Sequence, residues 1–118
     1  MLKYVAMMFL AILPLHAMAF SAEQVLSAAA NPDDKVNLDR TTFYVYGMME
    51  IVWSRSVLDK PVDQICMDKR INLGVPEMYG LGLAAIRLAV DSKKDYARAP
   101  ASMAMLNGLK KLYPCPTK

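Results

Sequence analysis

Cys66 and Cys115 are the only two cysteines in this chain of 118 residues, and their chemistry depends on where the protein resides. Cys115 lies between Pro114 and Pro116, three residues before the last printed residue. Proline fixes its own φ and biases the preceding residue towards extended geometry, so this tail cannot continue a helix. Two thiols can form a disulfide or contribute to a metal site. Zinc usually takes four ligands, and no nearby histidine supplements these thiols.

The N-terminal residues decide between these alternatives. Lys3 precedes an apolar run that extends from Tyr4 to Leu13, and Ala17-Met18-Ala19 has the small residues of a cleavage site. A membrane anchor is the alternative, but this run is shorter than the roughly 20 residues that span a bilayer. We therefore predict a signal peptide over residues 1–19, cleaved after Ala19, and a single domain over residues 20–118 that is not held in a membrane.

Export to an oxidising compartment favours a Cys66–Cys115 disulfide over a metal site. Such a bond closes a loop of about 50 residues, which contributes roughly 4 kcal/mol in the chain-entropy model. It would also hold a C-terminal tail that otherwise frays.

The charge balance argues against two classes of partner. After residue 19 the chain has 13 basic and 11 acidic residues, with the two signs interspersed. Neither nucleic-acid binding nor binding to an anionic membrane is indicated by such a composition.

Few side chains suitable for catalysis remain after cleavage. The only histidine, His16, belongs to the leader, so Ser-His and Cys-His arrangements are excluded from the mature protein. A glycosidase needs two carboxyl groups, whereas Glu50 is a lone acid within an apolar helix, and we expect it to pair with Arg87. The mature methionines could bind copper, but core packing is the favoured use. We expect no catalytic residues, no metal and no cofactor.

The remaining pattern is helical throughout. Ser21 and Gln24 form a capping-box pattern for a first helix that stops at Asn31-Pro32. A long core helix is predicted from about Leu38 to Leu58, capped by Asn37 or Asp39. Its apolar stripe comprises Phe43, Tyr44, Met48, Ile51, Val52 and Leu58.

Three shorter segments complete the expected elements. Pro61 opens a short helix that would place Cys66 towards the core, Pro76 opens a helix that continues to Val90, and Pro100 opens a final helix that ends at Tyr113. Gly80 and Gly82 predict close packing within the second of these helices. We therefore predict an all-α fold, a small four- to five-helix bundle stapled by one disulfide.

Several of these segments resemble a known family. The segments "FYVYGMMEIVW", "ICMDKR" and "ARAPASMAMLNGLKKLYPC" are similar to the Tai/Rap family of bacterial type VI secretion immunity proteins. The matching positions are Tyr44, Gly47, Cys66, Pro100, Ala101 and Tyr113 to Cys115. The charged loops depart from the family's pattern, since the family often has a proline soon after the first cysteine and a His-Pro dipeptide after the third helix.

This resemblance implies a periplasmic protein, commonly a homodimer, that binds and neutralises a toxic effector such as a peptidoglycan amidase. Recognition would then use two charged loops. The residues we expect to contact such a partner are Asp68, Lys69, Arg70 and Asn72 in the first charged loop, and Lys93, Lys94, Asp95, Tyr96 and Arg98 in the second.

Two other functions stay open at this stage. A periplasmic stress chaperone of the acid-stress type would hold clients on apolar surface, although without histidine only carboxylates could act as its pH trigger. A small periplasmic hydrolase would have to depend on Glu50.

Overall fold

The computed structural model describes residues 20–68 and 73–117, and in these ranges the chain forms an all-α bundle. The four α-helices are α1 (Ala22–Ala30), α2 (Lys35–Val57), α3 (Val75–Ser92) and α4 (Ala101–Leu112), with a 3₁₀ helix, Lys94–Ala97, between the last two. One disulfide joins Cys66 to Cys115. The predicted fold class and the predicted disulfide are both confirmed. The predicted signal peptide, residues 1–19, lies outside the described residues.

The helix starts follow from side-chain capping. Ser21 Oγ accepts from the Gln24 amide at 3.1 Å, and Gln24 Oε1 accepts from the Ser21 amide at 2.9 Å, which confirms the predicted capping box. The predicted cap of α2 is wrong. Asp34 caps this helix by accepting from the Asn37 amide at 3.3 Å, so α2 begins three residues before the predicted Leu38.

The short helix predicted after Pro61 is absent. Asp63 and Gln64 both have positive φ, of 48° and 60°, which interrupts any right-handed helix at this point. Ile65 is instead paired in an antiparallel bridge with Pro114. Pairing with the C-terminal tail, a contact distant in sequence, therefore replaces the local helix that the apolar spacing predicted.

Small residues let the helices approach closely at the centre of the core. A Cβ built on Gly108 of α4 would lie 2.7 Å from Ala85 Cα of α3, so the two backbones are in direct contact. A Cβ on Gly82 would meet Val45 and Met49 of α2, whereas one on Gly80 would meet nothing within 4 Å. The predicted close packing is confirmed at Gly82 and wrong at Gly80. The largest fully buried side chains around this crossing include Val25, Val45, Met49, Ile86, Met105 and Leu109.

The predicted core stripe of α2 mixes two faces of the helix. The face packed against the bundle comprises Thr41, Val45, Met49, Val52 and Ser56. Of the predicted stripe only Val52 is fully buried, and Tyr44 and Met48 are half-buried. Phe43, Ile51 and Leu58 are 73%, 58% and 65% exposed. Asp39, Arg40, Glu50 and Arg55 are exposed on the same side of the helix as Phe43 and Ile51, so the charged residues, rather than the apolar spacing, indicate the outward side.

The close approach at Gly108 predicts opposite effects of two glycine-to-alanine substitutions. Gly108→Ala should lower the free energy of unfolding by about 1–3 kcal/mol or more, because its methyl group would force α3 and α4 apart. Gly80→Ala should raise it by about 0.5–1 kcal/mol, because alanine favours the helix and space is open there. Urea unfolding of both variants checks this, and equal effects would contradict the packing at Ala85.

Candidate protein-binding surface

The backbone that leads into the first charged loop, at Gln64 and Cys66, is hydrogen-bonded to the C-terminal tail. The Cys66 amide donates to the Tyr113 carbonyl at 2.8 Å, and the Cys115 amide donates to the Gln64 carbonyl at 3.0 Å. These two hydrogen bonds flank the disulfide and form one antiparallel bridge. Pro114 lies between the two bonded positions, where its missing N–H removes no hydrogen bond of this bridge. The Pro-Cys-Pro tail is thus held in the extended form that its prolines favour.

A buried serine at the end of α2 forms hydrogen bonds with the same stretch of backbone, on both sides of Cys66. Ser56 is 4% exposed, and its Oγ accepts from the Met67 amide at 3.2 Å. The hydroxyl lies 3.2 Å from the carbonyl oxygens of both Ile65 and Val52, either of which can accept its proton. The backbone on both sides of Cys66 is therefore bonded to the bundle. We name residues 64–67 and 113–115, with Ser56, the junction.

Asp68 follows the junction directly. Its side chain is half-buried. The other three residues predicted for this loop, Lys69, Arg70 and Asn72, lie outside the described residues. The chain is described again from Leu73, two residues before α3 begins.

The second charged loop is built on the 3₁₀ helix. Lys93, Lys94, Asp95 and Arg98 are exposed there. Tyr96 differs from them, because its ring is half-buried against the core and its hydroxyl accepts a hydrogen bond from Asn107 Nδ2 at 3.0 Å. Of the five residues of this loop that were predicted to contact a partner, four present charge to solvent. The fifth, Tyr96, anchors the loop to α4.

The two charged loops adjoin opposite ends of α3. With 18 residues and a rise of about 1.5 Å per residue, this helix separates Gly74 from Lys93 by roughly 27 Å. The structure therefore does not bring the end of the first loop and the start of the second into one patch.

The residues considered for catalysis do not form a site. Glu50 and Arg87 are both exposed, and no ion pair joins them, so the predicted pair is wrong. Within residues 20–68 and 73–117 no three His, Cys, Asp or Glu side chains are grouped to hold a metal ion.

A polar groove of about 400 Å³ lies between α1 and the start of α2. Its polar lining includes Gln24, Asp34, Asn37 and Thr41. All four are already engaged in helix capping or in hydrogen bonds within α2. Three further polar residues of the lining, Glu23, Ser27 and Asn31, are exposed.

The outer face of α2 is the surface that sequence reasoning missed. Phe43 and Ile51 were assigned to the core, yet they project from the bundle on the side opposite Met49. The signal in the sequence is the excess of apolar residues: a helix with two apolar faces can bury only one of them against the three helices of this small bundle.

Comparison of the chain with family models, with curated proteins and with solved structures finds no match. In the part of the chain that the structure describes, no helix has the length and apolar character needed to cross a membrane.

The hydrogen bonds of the junction predict that removing the Ser56 hydroxyl lowers stability substantially. Ser56→Ala should lower the free energy of unfolding by about 1–3 kcal/mol, because the buried Met67 amide would lose its acceptor. The Met67 amide should also exchange with solvent faster. Ser54→Ala is the matched control, since Ser54 is on the same helix, donates no side-chain hydrogen bond within the described structure, and should change stability by less than about 0.5 kcal/mol. Equal effects of the two substitutions would contradict the assigned role of Ser56.

Proposed function

We propose that this protein is an exported, non-catalytic binding protein of the immunity type, which neutralises a toxic cell-wall effector in the periplasm. The observation that carries this proposal is the junction, because it rigidifies the base of the charged loop that begins at Asp68. A loop whose base is already ordered loses less conformational entropy when it binds, so more of the contact energy appears as affinity.

The disulfide supports the proposed location. Disulfides form and persist in oxidising compartments, of which the bacterial periplasm is one. The leader pattern in residues 1–19 provides the route of export. Together these features favour a protein that acts outside the cytoplasm.

The second charged loop exposes three cations and one carboxylate, Asp95. Lys93, Lys94 and Arg98 are exposed close together in sequence, and Lys111 Nζ of α4 lies 2.8 Å from Ser92 Oγ at the end of α3. Clustered cations accelerate encounter with an acidic partner surface and contribute to selectivity more than to raw affinity. We propose that this loop steers the effector and that the first charged loop makes the closer contacts.

The experiment captures the effector and then measures inhibition. Disulfide-intact protein is immobilised and exposed to lysate of a competitor that delivers toxins by type VI secretion. A small peptidoglycan hydrolase should co-purify in stoichiometric amount, and its purified form should lose activity when this protein is added. Absence of inhibition by any captured hydrolase would contradict the immunity function.

The role of the first loop has its own test. Lys69→Glu/Arg70→Glu should raise the Kd for the captured hydrolase by about tenfold or more, because two cations at the loop would be reversed. The control, Lys35→Glu/Lys60→Glu, makes the same change in charge at exposed positions outside both loops. If both double variants bind like the parent protein, the first loop is not the contact surface.

The exposed apolar side chains of α2 favour a second candidate, a periplasmic stress chaperone. The two functions differ in what happens at pH 2–3. A chaperone should bind an apolar-surface dye there and suppress aggregation of a client protein. An immunity protein should stay folded and have no effect on the client.

A further inference from the structure

The backbone that leads to Cys66 is held in an unfavourable conformation. Asp63 and Gln64 are consecutive and both lie in the left-handed region, with φ of 48° and 60°. A residue other than glycine adopts this region at a steric cost, because its Cβ approaches the neighbouring carbonyl oxygen. We name these two residues the left-handed pair. Their conformation acts against the closed junction and favours any state in which the chain can relax.

Few noncovalent contacts hold the C-terminal tail against this cost. Two backbone hydrogen bonds join the tail to the junction, one donated by Cys66 and one donated by Cys115. Pro114 and Pro116 are exposed and have no N–H, so they add little buried surface and no further donor. The disulfide is the one covalent link between the tail and the backbone that leads to the first charged loop.

The centre of the bundle is built without the junction. The helices cross where Gly108 of α4 lies against Ala85 of α3, and the core there is supplied by all four helices. Within residues 58–68 only Ile65 and Met67 are buried. If the junction opened, these two side chains would leave the core, while α1 to α4 could keep their contacts with one another.

Both cysteines can be reached from solvent. Cys66 and Cys115 are half-buried rather than enclosed by the core. Glutathione and thioredoxin keep accessible cysteines reduced in the cytosol, whereas oxidising compartments favour the disulfide. A chain that is made in the cytosol and then exported passes through both conditions.

We propose that the junction is an oxidation switch, which the disulfide closes and which opens without it while the four-helix bundle stays folded. Burial of Ile65 and Met67 favours the closed form, the left-handed pair opposes it, and the disulfide decides between the two. Closure fixes the backbone that leads to Asp68, so the first charged loop binds its partner tightly only in the oxidised protein. This control of binding rests on the proposed immunity function, and it would keep the protein inactive until export.

The closing step is a thiol–disulfide exchange. Cys66 and Cys115 together give two protons and two electrons to the disulfide of an oxidoreductase, which becomes a dithiol. One S–S bond forms in this protein as one S–S bond breaks in the oxidoreductase. Attack by a dithiol reverses the exchange and opens the junction.

Hydrogen exchange tests whether the opening is local. After reduction with dithiothreitol, the Cys66 and Met67 amides should exchange at least tenfold faster, whereas the Ile86 amide within α3 should keep its protection. Reoxidation should restore slow exchange. Unchanged protection at Cys66 and Met67 would overturn the proposal. So would lost protection at Ile86, because the disulfide would then be needed by the whole fold.

Gln64→Gly tests the part that the left-handed pair plays. Glycine adopts positive φ without the steric cost, so the ratio of oxidised to reduced protein at equilibrium with dithiothreitol should rise about threefold or more. Gln64→Ala is the matched control, since it removes the same side chain but keeps the Cβ, and its ratio should stay close to that of the parent protein. Alkylation and mass spectrometry measure both ratios. Equal ratios in the two variants would show that the backbone stays left-handed after reduction, which contradicts the switch.

Binding shows whether the switch controls recognition. Cys66→Ser/Cys115→Ser cannot form the disulfide, so its Kd for the captured hydrolase should be at least tenfold higher than that of the oxidised parent protein. Protection of the Ile86 amide confirms that this variant is folded. Equal Kd values would overturn the proposed control of binding. Failure to capture any hydrolase would contradict the immunity function instead, and hydrogen exchange would still decide whether the junction opens.

Discussion

The junction between residues 64–67 and the C-terminal tail is the constraint on which the rest of the structure depends. A domain of about 100 residues buries only some 60–70% of its unfolded surface, so its net stability is small. After α2, residues 58–68 of the connection to α3 contain no regular helix. Asp59, Asp63 and Gln64 are left-handed there, and one short bridge joins Ile65 to Pro114. The disulfide and the bonds to Ser56 hold this connection against the bundle. Without them its conformational freedom would act against folding.

The same constraint links stability to the recognition that we propose. Cys66 is two residues from Asp68, so the bond that staples the fold also sets the position at which the first charged loop leaves the bundle. The second loop is held differently, through the buried part of Tyr96 and its hydrogen bond with Asn107. In the second loop exposed charge is carried on a backbone that the core positions, and the first loop leaves the bundle at a backbone that the junction holds. A protein that acts by binding alone needs little more than this.

Local signals in the sequence predicted those parts of the fold that local chemistry determines. The Ser21–Gln24 capping box, the stop at Asn31-Pro32 and the closing α4 each depend on residues close in sequence. The disulfide was predictable because the chain has only two cysteines. The helix expected after Pro61 was wrong, because the pairing of Ile65 with Pro114 joins segments 49 residues apart and outweighs local apolar spacing. The start of α2 was misplaced because Asp34, rather than a residue nearer the apolar stripe, supplies the cap.

The candidate surfaces were less predictable than the fold. Exposed charges in loops are visible in the sequence, and four of the five residues in the second loop do project into solvent. The outer face of α2 was not predicted, because apolar residues lie on both sides of this helix and their spacing was assigned to the core. Only the positions of α1, α3 and α4 distinguish Met49 in the core from Phe43 outside it.

The most direct measurement is mass spectrometry of protein recovered from the cell envelope, alkylated and digested without reduction. A single cross-linked peptide containing Cys66 and Cys115, with no alkylated cysteine, is the expected result. Recovery of both cysteines as alkylated thiols would show that the connection and the tail are not covalently joined. The rigid base proposed for the first charged loop would then be lost.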